Sequence, residues 1–131
     1  MRKLTAQWIK KAEADFSAAK QLLQTKPLLK DQIGFCCQQA VEKYLKALLQ
    51  EWGLAIPYTH DITGLIDLLL PVDKTLRSLR RGSRGLTLFA VEYRYPARES
   101  TVRQARAAFE KAGRFRDEIH RRLGIRTRRR R

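Results

Sequence analysis

A chain of 131 residues is most simply one domain, long enough to bury roughly two-thirds of its unfolded surface. No apolar run approaches the ~18 residues of a membrane span. The only two cysteines, Cys36 and Cys37, are neighbours whose side chains would diverge by about 100° on a helix, which does not suit a disulfide, and no Cys/His spacing suits zinc.

The first predicted helix runs from about Thr5 to Thr25, with Trp8, Ile9, Ala12, Phe16, Ala19 and Leu23 as its apolar stripe. Its opening, Met1-Arg2-Lys3-Leu4, leads into a segment containing Glu13 and Asp15, unlike a signal peptide, so a cytoplasmic chain with reduced thiols is expected. Lys26-Pro27 breaks this helix. The second is predicted over about Leu29 to Trp52, stopping at Gly53. Ile33, Cys37, Ala40, Val41, Tyr44 and Leu48 fall on one side of it, and Leu45, Leu49 and Trp52 widen the apolar arc past half the circumference. Gln39, Glu42, Lys43 and Lys46 form one compact polar stripe.

After the loop Gly53 to Tyr58, Thr59 is the expected N-cap of a third helix, about His60 to Leu70, with Asp61 in its first turn. A short helix over about Asp73 to Arg81 follows, then a turn at Gly82-Ser83-Arg84-Gly85. Leu86, Phe89, Ala90 and Tyr93 predict a helix from about Leu86 to Arg94; a strand over Leu86 to Val91 is the competing reading. Pro96 interrupts the chain. A last helix is predicted from about Arg98 to Leu123 on Val102, Ala105, Phe109, Ala112, Ile119 and Leu123, with Arg116 unusually on the same stripe. The sum is all-α: one antiparallel, up-and-down bundle of about five helices over residues 1–125, with a basic, disordered tail at 126–131.

The net charge of +15 is uneven. Residues 1–75 hold 10 Lys/Arg against 8 Asp/Glu, whereas residues 76–131 hold 18 against 5, and 17 of those 18 are Arg. Guanidinium is the better fork for phosphate, so an anionic partner is one reading and a solvated surface the other.

Three stretches together resemble a known family. They are Cys37-Gln38-Gln39-Ala40-Val41-Glu42-Lys43-Tyr44-Leu45-Lys46-Ala47-Leu48-Leu49, then Pro57-Tyr58-Thr59-His60-Asp61-Ile62-Thr63-Gly64-Leu65, then Tyr93-Arg94-Tyr95-Pro96. Their content, order and spacing are similar to the HEPN (higher eukaryotes and prokaryotes nucleotide-binding) domain, over roughly residues 5–123. The resemblance implies a helical bundle, commonly a homodimer, often encoded beside a minimal nucleotidyltransferase and sometimes paired with it as toxin and antitoxin. Some branches are metal-independent ribonucleases; others are thought to bind nucleotides. Neither a metal nor a cofactor is implied.

Ribonuclease branches carry an arginine, four to six residues, then a histidine, suited to phosphate charge and proton transfer. From Arg94 the histidine would fall on Glu99, Ser100 or Thr101, and none is histidine. Arg114 and His120 satisfy the spacing, but late in the last helix and about 120° apart, so they are the remaining candidate catalytic pair.

Three readings of the polar stripe stay open. It is a solvated face held by pairs such as Glu42 with Lys46; or a seam in which Glu42 and Lys43 lock Arg94 or its neighbours at the 93–96 corner; or a cleft for nucleotide or RNA phosphate, using Lys43, Lys46 and Arg94. Seam and cleft are compatible, since a carboxylate can orient an arginine whose other donors face a ligand. The candidate ligand-binding residues are Lys43, Lys46, Arg94 and His60, supported by Gln39, Glu42, Asp61, Tyr93 and Tyr95. His60 has a local alternative, contacting the loop before its helix. The cysteines read as small core residues.

Overall fold

The computed structural model describes residues 1–126; of the expected tail, residues 127–131 lie outside them. Five α-helices follow in order: α1 (Lys3–Leu22), α2 (Lys30–Glu51), α3 (Ile62–Leu69), α4 (Ser83–Val91) and α5 (Val102–Leu123), with a 3-10 segment at Lys74–Leu79. Among the described residues there is no strand, so the competing β reading of Leu86 to Val91 falls away.

The centre of the bundle is α2, packed against α1, α3, α4 and α5. This follows from its wide apolar arc: Ile33, Val41, Tyr44, Leu45, Leu48 and Leu49 are fully buried, each aliphatic side chain contributing about 2 kcal/mol. Enclosure on so many sides also buries Gln38, Glu42 and Lys46, which a two-sided helix would have left in water. Close approach of α4 depends on Gly34, where a Cβ would lie 1.9 Å from the Phe89 ring.

Helix boundaries depart from expectation for local reasons. α3 starts at Ile62 rather than His60: Thr59 Oγ1 accepts from Asp61 N–H, Asp61 offers no side-chain cap, and Ile62 N–H donates to Thr87 Oγ1 of α4. Only Gly82, at φ 80°, serves as the turn expected at 82–85; Ser83 already opens α4 and its hydroxyl donates to the Arg80 carbonyl. α4 ends at Val91, where the Leu88 carbonyl accepts from both Glu92 and Tyr93 N–H. α5 begins at Val102, not Arg98, because Thr101 and Gln104 form a reciprocal capping box. The segment before it is pinned instead: Asp31 accepts from the backbone N–H and the hydroxyl of Ser100.

Candidate functional site

The polar stripe of α2 is a seam, but not with Arg94. Glu42, whose side chain is 6% exposed, lies 2.6 Å from His60 Nδ1 and 3.5 Å from Lys46 Nζ. Lys46 is itself buried and sits over the Trp8 ring, 5.8 Å from its centroid. Lys43 is spent on Asp15 of α1. Gln38 Nε2 donates to the His60 carbonyl at 3.2 Å, and Gln39 Nε2 donates to Gln38 Oε1 at 2.8 Å. The stripe therefore clamps α1 on one side and the loop before α3 on the other. Its two lysines already hold carboxylates, so the arrangement offers little free charge to a phosphate.

His60 opens this network to solvent, its side chain 45% exposed beside the fully exposed Tyr58. A carboxylate oxygen only accepts, so Nδ1 carries the shared proton and Nε2 is left for proton transfer or hydrogen bonding. Asp61 is exposed next to it, its carboxylate packed against Gly64.

Arg94 stands elsewhere, at the break after α4. Its guanidinium lies over the Phe35 ring, 4.7 Å from the centroid, in a shallow groove with Leu22, Asp31, Cys36 and Tyr93. Asp31 is committed to Ser100 there, and Tyr93 Oη accepts from Gln104 Nε2 at 3.2 Å. Tyr95 is exposed. Burial raises the Cys36 thiol pKa, and pushes that of Cys37 up to about 12. Neither is a ready thiolate.

Arg114 and His120 do not meet as a pair. Arg114 is on the surface, lining a groove with Ser78, Lys111 and Asp117. His120 is 2% exposed between α5 and α1, its Nε2 2.8 Å from Glu13 Oε1 at an angle unsuited to a straight hydrogen bond, with no partner on Nδ1. The other Glu13 oxygen accepts from Tyr44 Oη at 2.6 Å and Arg116 Nε at 2.8 Å. Burial alone would raise the Glu13 pKa; contacts with His120, Arg116 and Tyr44 outweigh it and hold the carboxyl down at about 2. The same carboxylate, after burial, pushes the Tyr44 hydroxyl well up. Glu13 escaped the sequence reading, although Arg116 on an apolar stripe was the signal: a half-enclosed guanidinium requires a carboxylate from the facing helix.

Further positive charge is uncommitted. Arg77, Arg81, Arg84, Arg103, Arg106 and Arg114 are exposed, and none has a carboxylate partner among the described residues. Arg103, Arg106 and Arg114 follow one outward stripe of α5, which exposed Glu110 shares. Among the described residues no group of three or more His, Cys, Asp or Glu side chains is placed to hold a metal ion, and no helix is long and apolar enough to cross a membrane.

A central helix enclosed by four others, with an arginine corner after the fourth, defines an all-α bundle of a recognisable class. The chain belongs to the HEPN domain family, whose model matches residues 5–123. No curated protein and no solved structure matches it significantly. Family membership places its function among nucleotide- or RNA-related activities, including ribonuclease-type ones.

Proposed function

We propose that the protein binds nucleotide or RNA phosphate, with RNA as the larger ligand, through exposed arginines of α4, α5 and the segment that leads into α4. The observation that carries this is the set of six exposed arginines without carboxylate partners, set against lysines of the α2 stripe that are already paired. Arginines in register along a helix suit a phosphate backbone, and such binding is salt-dependent. The protein acts in the cytoplasm as a homodimer and with a minimal nucleotidyltransferase partner, in a toxin–antitoxin-like pair. Support for dimerisation is the family resemblance and the exposed apolar side chains Leu29, Val91 and Tyr95. Fluorescence anisotropy with a labelled single-stranded RNA, titrated at several salt concentrations, tests binding. No saturable binding at 50 mM salt would refute it.

A ribonuclease reading retains one specific support, the Glu42-oriented and solvent-open imidazole of His60. It places acid–base chemistry on His60 rather than on His120. Incubating the protein with RNA in excess EDTA, alongside His60→Ala, tests it: cleavage must occur and must depend on His60.

A further inference from the structure

Between α4 and α5 lies a slot of about 210 Å³. Its walls are Leu86, Leu88, Phe89 and Ala108, and Gly82 and Gly85 leave it open on the α4 side. A Cβ added at Gly85 would meet nothing within 4 Å. Gln104, also on its lining, donates to Tyr93 Oη and accepts from Thr101 N–H.

The mouth is cationic. Lys111 lines both this slot and the adjoining groove that holds Arg114. Its Nζ donates to the Arg81 carbonyl, which keeps the ammonium at the entrance. Burial, then the charges of Arg114 and Arg81, lower the Lys111 pKa, so the three cations lie close enough to repel. The groove's acidic groups are Asp117 and Glu118, and Glu118 is engaged by Arg121 and Arg122. An apolar slot with surplus positive charge at its lip is complementary to a ring system carrying a phosphate. The volume is below the ~300–1,000 Å³ of clefts that enclose whole drug-sized ligands, so it suits one base.

We infer that this slot takes one unstacked base of the bound RNA, with that nucleotide's phosphate on Lys111 and Arg114. The inference rests on the RNA-binding reading and adds to it a point of register and base preference, since arginines on phosphates alone read no sequence.

The test fills the slot without touching the charges. Gly85→Leu places a good helix former in α4, so melting temperature should not fall; Ala107→Leu fills it from the α5 side. Each variant should bind a single-stranded RNA octamer about tenfold more weakly than the wild type, the scale of one lost base-stacking contact. Wild type should bind an abasic octamer with that same lower affinity, and the substitutions should not weaken abasic binding further. Equal wild-type affinity for the two octamers, or wild-type affinity in both filled variants, overturns the slot while leaving phosphate binding intact. Absence of any RNA binding by the wild type overturns both.

Discussion

Glu13 and His120 meet at 2.8 Å across the α1–α5 contact, and the same carboxylate also takes Arg116 and Tyr44. One residue of α1 thereby anchors two side chains of α5 and one of α2. Removing its charge strands a buried imidazole and a guanidinium together, so Glu13→Gln should cost about 3 kcal/mol in urea unfolding. A change below about 0.5 kcal/mol would mean that α1 is held by its apolar stripe alone.

The same carboxylate sets an acid limit. Its folded pKa of about 2 lies below the ordinary 4.5, so its contribution is fully present above pH 4.5 and is lost as pH falls through 2. After discounting for solvent screening of a side chain 32% exposed, the loss is on the order of 2 kcal/mol. Urea midpoints measured from pH 5 to pH 2.5 should fall more steeply for wild type than for Glu13→Gln. Parallel curves would remove Glu13 as the cause.

Gly34 and Phe89 make a second dependence. Alanine at 34 puts a methyl carbon 1.9 Å from a ring that is 3% exposed, so the ring or α4 itself must shift to admit it. Gly34→Ala should cost about 3 kcal/mol through overpacking, despite alanine's better helix propensity. A stability equal to or above wild type would show that α4 can shift freely on α2.

The bundle was legible because α2 and α5 carry strong helical periodicity, and Gly53 and Pro96 punctuate it. The start of α5 is not legible from the apolar stripe and Pro96 alone: it is set at Val102 by Thr101 and Gln104, a capping box written with glutamine. The polar stripe was visible as a stripe, but its partners were not. Lys43 pairs with Asp15, 28 positions away, and Glu42 with His60, 18 positions away. Periodicity shows which face a residue occupies, whereas partners across helices depend on how the helices are docked. The pairing of Glu42 with Arg94 had no such information behind it and does not occur.

If about five arginines and lysines contact phosphates, RNA affinity should fall by two to three decades between 50 and 200 mM salt. Replacing Arg103, Arg106 and Arg114 together by alanine should lower the slope of log affinity against log salt by about two, at roughly 0.7 per contact for a single strand. Lys43→Ala, whose charge is occupied by Asp15, should leave that slope unchanged. The opposite ranking would return the binding surface to the α2 stripe.

Arg94 separates two meanings of the corner sequence Tyr93-Arg94-Tyr95-Pro96. With Glu42 committed to His60 and Lys46, the guanidinium has no carboxylate to clasp; it lies over Phe35 and is exposed. An exposed cation–π contact is worth about 0.5–1 kcal/mol, so Arg94→Lys should lower stability by no more than that. Lysine keeps the charge but loses the planar fork that a phosphate takes in two-point contact. If the corner touches ligand, RNA affinity should drop about tenfold at 50 mM salt while the melting temperature moves by only a few degrees. Unchanged affinity would confine RNA to the α4–α5 side and leave Arg94 as a lid on Phe35.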